Sequence, residues 1–140
     1  MLLVDSTVWI DWLRGAETDA VRFIQARAER EELALTQMIY LEVLQGVASE
    51  RQYEATRRVL GGQTLLQPLE PLETFEAAAH LYRKARRLGL TIRKSTDCLI
   101  AAIAIEQGAL LVHNDRDFLA LARADGNLHV YPGAGGAAPH

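Results

Sequence analysis

Four carboxylates stand alone at the ends of apolar segments or inside them. Asp5 ends LLVD, Glu42 is the only charge in MIYLEVLQGV, Asp97 opens DCLIAAIAI, and Asp115 follows ALLVHN. Two of these runs read as buried strands and two as buried helices. A carboxylate costs several kcal/mol to bury without a partner, so four in such places call for a cation. No Lys or Arg is interleaved within the runs to supply one. If the four converge, each pair about 5 Å apart repels by roughly 3 kcal/mol at an effective dielectric near 20, and a divalent ion removes that conflict. No His or Cys cluster has zinc spacing, so the ligands are oxygens, which favours magnesium or manganese. Hard-metal phosphodiester chemistry is the reading that follows.

A plainer role competes with it. Asp5-Ser6-Thr7, Ser95-Thr96-Asp97 and Asn114-Asp115 each offer a side-chain oxygen to the free amides of a following helix, which stabilises by about 1 kcal/mol. Yet Ser6 or Thr7, Ser95 or Thr96, and Asn114 can cap without charge, which leaves the neighbouring Asp as surplus. Glu42 lies mid-helix between Leu41 and Val43 and cannot be a cap. His113 is the one histidine near the acids, and its apolar neighbours favour a structural role. Trp9, Trp12 and Tyr40 could stack on bases, but each sits in an apolar helix where core packing is the stronger expectation.

The elements must bring these residues together. Leu2–Asp5 (LLVD) reads as a buried strand and 6–15 as a helix ended by Gly15. Amphipathic periodicity marks a helix over Glu17–Glu31, and LALT (33–36) a second strand. Helices follow over Gln37–Val47 and Glu50–Leu60, the latter closed by Gly61-Gly62. LLQPL (65–69) reads as a third strand, at an edge or ending at Pro68. Leu72–Leu88 is the longest helix, with Phe75, Ala79, Tyr82 and Ala85 or Arg86 on its seam. Asp97–Gln107 is a buried helix ended by Gly108, ALLVH (109–113) a fourth strand, Asp117–Ala124 a final helix and LHVY (128–131) a fifth strand.

Strands alternating with helices predict an α/β fold, a central parallel sheet of about five short strands flanked by helices on both faces. In such sheets ligands bind beyond the carboxyl ends of the strands. Asp5 and Asp115 directly follow strands and Asp97 opens a helix, so all three can reach one rim. A receiver-type phosphoacceptor would need an Asp at a mid-chain strand end and a downstream Lys, and LLQPL carries neither.

With 140 residues the chain suits one domain, expected over 1–132, with a disordered glycine-rich tail over 133–140. It is 49% hydrophobic and 24% charged, with mean hydropathy near zero. No apolar stretch approaches the roughly 20 residues of a membrane span. MLLVDSTVW lacks a basic leader and reads as a core strand. The single Cys98 reads as a small buried side chain, and the reducing cytoplasm as the expected compartment. The net charge of −3 argues against a nucleic-acid partner until the acids of the proposed site, with Asp117, are set aside. Then 13 acids face 15 basic residues, 13 of them Arg, the side chain suited to forked phosphate contacts. Arg83, Lys84, Arg86 and Arg87 read as a solvated helix face, whereas Arg93 and Lys94 border the site and are candidate substrate contacts.

Taken in order, LVDSTVWIDWLRG, LEVLQG around Glu42, TDCLIAAIA from Asp97, and HNDRDF resemble the PIN-domain family, and within it the VapC-type toxins of toxin–antitoxin pairs. The resemblance covers nearly the whole chain apart from the tail. It implies four catalytic acids at Asp5, Glu42, Asp97 and Asp115, with Asp117 as an auxiliary. It also implies that Asp5, Asp97, Asp115 and Asp117 bind Mg2+ or Mn2+, with Ser6, Thr7, Arg93, Lys94 and Asn114 as candidate substrate contacts. The implied activity is metal-dependent endoribonuclease cleavage of structured RNA, a tRNA or rRNA loop, leaving a 5′-phosphate and a 3′-hydroxyl. A cognate VapB-type antitoxin and a homodimer, with an interface among the helices of Gln37–Leu60, are the implied partners. The alternatives are a PIN-type nuclease in RNA maturation or on DNA, and a non-catalytic metal-dependent binding module.

Overall fold

In the computed structural model, which describes residues 1–133, five strands form one wholly parallel sheet in the order β3-β2-β1-β4-β5. They are β1 (Leu2–Val4), β2 (Leu33–Leu35), β3 (Thr64–Leu65), β4 (Leu110–Val112) and β5 (Val130–Tyr131). The central strand β1 pairs with β2 (Leu2 opposite Leu33) and with β4 (Leu2 opposite Leu110). Every residue of β1 and β2 is buried, as expected of parallel strands covered on both faces.

Seven helices connect them: α1 (Ser6–Leu13), α2 (Asp19–Arg27), α3 (Gln37–Gln45), α4 (Glu50–Gly61), α5 (Pro71–Arg87), α6 (Ser95–Gln107) and α7 (Arg116–Ala124). The chain moves one way across the sheet from β1 to β2 to β3, then returns past β1 to β4 and β5. Right-handed crossovers therefore place α1–α4 on one face and α5–α7 on the other. The packing agrees: α1 meets α2 and α3, while α5, α6 and α7 pack on one another. The direction reverses between β1 and β4, which opens a crevice at the carboxyl ends of those two strands.

Most boundaries follow from capping. The Thr18 hydroxyl accepts from the Val21 amide, Thr36 from Ile39 and Ser49 from Gln52, so α2 starts at Asp19 rather than at Glu17. Pro71 occupies the first turn of α5, where its missing N–H costs nothing. Gly108, at φ +65°, ends α6 in the left-handed conformation. The third strand is shorter and earlier than LLQPL suggests. It lies at the sheet edge and ends before Pro68, which has no N–H to extend the ladder.

The seam of α5 differs by one position from the expected one. Thr74, Ala78, Leu81 and Ala85 face the core, while Phe75 is 54% exposed. Both rows are compatible with a helical period, and Thr74 goes inward because its hydroxyl donates to Glu106 of α6 at 2.6 Å. Cys98 is buried, as expected, and burial pushes its thiol up to about 11. The tail expected from 133 onward lies, apart from Gly133, outside the described residues.

Candidate active site

The crevice between β1 and β4 gathers the acids. Asp5 follows β1 and is the residue before the first turn of α1; its side chain caps nothing. Glu42 projects from the middle of α3, Asp97 from the first turn of α6, and Asp115 and Asp117 from the start of α7. One carboxylate oxygen each from Asp97, Asp115 and Asp117 lies within 4.8 Å of the others. Asp5 falls outside that tight trio but is coupled electrostatically to Asp97 and Glu42, which continue the acidic surface on its side.

Burial here is severe. Asp97 is 2% exposed, Asp117 3% and Asp5 5%. Desolvation pushes Asp5 up to about 7, against the Ser6 amide, and the charges of Asp97 and Glu42 add to the rise. Burial likewise raises Asp97 to about 6; Lys94 opposes this and Asp115 and Glu42 reinforce it. Among the described residues, Asp97 Oδ2 and Glu42 Oε1 are buried carboxylate oxygens with no hydrogen-bond partner. Such atoms carry a full desolvation cost. An all-oxygen donor set with unpaired lone pairs fits a hard divalent cation.

Two basic residues reach the acids from outside the apolar runs. Arg93 Nη2 donates to Asp115 Oδ1 at 2.9 Å, and its Nε and backbone amide both donate to Asp117 Oδ2, at 3.1 and 3.2 Å. These bonds to Asp117, and its charge, hold the guanidinium above its usual range. Lys94 Nζ lies 3.6 Å from Glu42 Oε2. Partial burial lowers its ammonium, but the carboxylates of Asp97, Glu42 and Asp5 outweigh that and raise it. The apolar runs hold no Lys or Arg, as expected, but the acids do have counter-charges in Arg93 and Lys94, which the sequence places at the border of the site as candidate substrate contacts. The loop 88–94 folds back to deliver them, which linear order does not reveal.

The capping question resolves residue by residue. Asp115 is a cap after all: its Oδ1 accepts from the Asp117 amide at 2.9 Å. Asp5 makes no side-chain cap bond, and Lys94, which precedes α6, supplies none either. Of the other candidate contacts, Ser6 is buried, whereas Thr7 and Asn114 are exposed beside the rim acids. Trp9 is buried and stacks on the half-buried Trp12 with centroids 5.7 Å apart; Tyr40 is also half-buried. Core packing thus accounts for Trp9. Arg83, Arg86 and Arg87 are exposed along α5, and Lys84 lies 3.5 Å from Asp125, as a solvated face requires. His113, the one histidine expected near the acids, does touch the site: its ring accepts from the Asp115 amide.

Residues 2–124 match the PIN domain family. The chain is 35% identical over 127 residues to Ribonuclease VapC11 of Mycobacterium tuberculosis, spanning 88% of this chain and 92% of that one. Its fold is similar to a chain in the crystal structure of VapBC2 from Rickettsia felis bound to a promoter DNA fragment. There the TM-score is 0.70 at 16% identity, over 92% of this chain and 96% of the other. It is also similar to a chain in the structure of FitAcB from Neisseria gonorrhoeae, with TM-score 0.68 at 19% identity over 94% and 96%.

Proposed function

This chain belongs to the PIN-domain family, among its VapC-type members, and on that premise we propose that it is a metal-dependent endoribonuclease toxin. The observation that carries the reading is the acidic crevice itself. Three carboxylates lie within 4.8 Å of one another, and buried oxygens of Asp97 and Glu42 have no partner. Such a cluster is costly unless a cation completes it.

Asp97, Asp115 and Asp117, with Asp5 alongside, would hold Mg2+ or Mn2+. When bound, a divalent cation supplies positive charge against the phosphodiester and makes water a better nucleophile at neutral pH. Glu42 and Asp5, whose charges act on each other or on Asp97, would keep the crevice negative. Arg93 and Lys94, both exposed at the rim, would meet the phosphates of the substrate, the guanidinium by forked hydrogen bonds. Thr7, Asn114 and the hydroxyl of Ser6 would contact sugar or phosphate. The substrate is structured RNA, a tRNA or rRNA loop, whose unstacked bases leave the backbone accessible to a crevice of this kind. The products would carry a 5′-phosphate and a 3′-hydroxyl.

The relative named Ribonuclease VapC11 supports the RNA-cleaving activity, and the likeness to chains of VapBC2 and FitAcB supports a VapB-type antitoxin partner. The toxin would act in the cytoplasm and self-associate as a homodimer. None of the described helices is long and apolar enough to cross a membrane. The test is cleavage of total cellular RNA by purified, antitoxin-free protein in Mg2+, in Mn2+ and in chelator, with Asp97→Asn alongside and the RNA ends mapped by sequencing. A few discrete metal-dependent cuts that vanish in the variant are expected. Folded, metal-binding protein that cuts no RNA would sink the proposal and favour a DNA substrate or a binding module.

A further inference from the structure

His113 is the last residue before the chain leaves the sheet for α7, and it is 1% exposed. Its backbone amide donates to Tyr131 O at 2.9 Å, in line with the ladder between β4 and β5. Its ring makes two further contacts. Nε2 lies 2.9 Å from Pro132 O, and Nδ1 lies 3.0 Å from the backbone nitrogen of Asp115. A carbonyl only accepts and an amide N–H only donates, so the two contacts together assign the tautomer. Nε2 carries the hydrogen and Nδ1 presents its lone pair to Asp115. The edge of the ring packs on Phe118, with centroids 5.6 Å apart at 60°. Burial lowers the imidazole below its usual range, which agrees with a neutral ring.

The imidazole therefore acts as a strut. One end is fixed to Pro132, the residue directly after β5, and the other grips the amide of the residue whose carboxylate caps α7 and enters the acidic trio. Beyond the end of a parallel strand the amide of Asp115 has no ladder partner, and an unpaired amide at a half-buried position would let the turn 113–115 rotate. We propose that His113 is a positioning residue of the metal site, its Nδ1 holding the Asp115 amide so that the Asp115 carboxylate stays aimed at the cation shared with Asp97 and Asp117. This rests on the proposed metal-dependent activity and adds to it the device that sets the geometry of one ligand. Groups that orient ligands commonly cost 10–100-fold in metal affinity when lost.

Two substitutions separate the two ends of the strut. His113→Asn keeps an acceptor oxygen near the place of Nδ1 and loses the contact to Pro132. His113→Gln carries its amide at the distance of Nε2, keeps a donor for Pro132 and loses the acceptor for Asp115. Both remove a buried ring, so a merely structural role predicts parallel losses in thermal stability and in everything else. The expected result is that Mn2+ affinity, measured by calorimetry on the full chain, stays within about three-fold of wild type in Asn and falls at least ten-fold in Gln. RNA cleavage at saturating Mn2+ should recover in Asn and stay depressed in Gln. Equal Mn2+ affinity in all three proteins, or losses that follow thermal stability alone, would overturn the role of His113 while leaving the nuclease intact. Wild-type protein that binds no Mn2+ would instead overturn the metal-dependent reading and this proposal with it. Should neither variant fold, nitrogen NMR of the wild-type ring decides: a hydrogen on Nδ1 rather than Nε2 contradicts the proposal.

Discussion

Burial raises the Asp97 carboxyl to about 6, so its charged form at neutral pH is held at a cost that an exposed aspartate does not bear. Replacing it by Asn removes a charge that costs stability when no cation is present. Asp97→Asn should therefore raise the thermal midpoint of chelator-treated protein at pH 7.5 while abolishing cleavage. A lower midpoint would mean that Asp97 is satisfied by Lys94 and its other neighbours, and that its burial is not strained. Arg93 behaves in the opposite sense, because it is the counter-charge of Asp115 and Asp117. Arg93→Gln should lower the metal-free midpoint and enlarge the stabilisation that Mn2+ produces, the ion supplying charge that the side chain no longer does. An unchanged Mn2+ effect would show that the guanidinium and the cation do not share these carboxylates. The acids were legible in the sequence because an isolated charge in an apolar run is conspicuous. Arg93 was legible only as a neighbour of the site, since its bonds to residues 22 and 24 positions away depend on how the loop folds back.

Helices and strands were legible wherever a local rule governs them. The helix starts expected at Gln37 and Glu50, directly after the caps Thr36 and Ser49, are of that kind, as is the left-handed glycine after α6. The Thr18 cap instead moves the start of α2 from the expected Glu17 to Asp19. Gly108 tests this cleanly, since a Cβ added there would meet nothing within 4 Å and only the backbone conformation opposes it. Gly108→Ala should cost about 1 kcal/mol in denaturant unfolding. It should leave cleavage unchanged, because it lies about 16 Å along α6 from Asp97 by helical rise. Lost activity at retained stability would mean that the end of α6 communicates with the crevice. The face of α5 was not legible: the rows through Phe75 and through Ala78 have the same period. The hydrogen bond from Thr74 to Glu106 favours the second, and the partner lies 32 residues away.

The whole molecule carries the cost of its site. Asp5 and Asp97 titrate near 7 and 6 when folded and near 3.8 when unfolded. Between those limits the folded chain binds more protons than the unfolded one, so stability falls as pH rises from about 4 to about 7 and levels above it. Chelator-treated protein should accordingly melt higher at pH 5 than at pH 7.5, and Mn2+ should recover the difference at pH 7.5. A midpoint that rises with pH across this window would contradict the net cost of burying these two carboxylates as charges. The proposed homodimer is checked by sedimentation equilibrium, where twice the 15.5 kDa of one chain is expected. A single-chain mass at all concentrations would remove it.

Order along the chain was enough to determine an α/β domain, a parallel sheet and the identity of the rim acids. Hydrophobic period, caps and the cost of burying charge all act within a few residues. Three things waited for the tertiary structure: the closeness of Asp117 to Asp97, the reach of Arg93 to Asp115 and Asp117, and the hold of the His113 ring on Pro132. Each is a contact between chain segments brought together only when the sheet reverses direction between β1 and β4 and the loops fold over its edge. Distances of that kind are set by packing, and no spacing in a linear sequence encodes them.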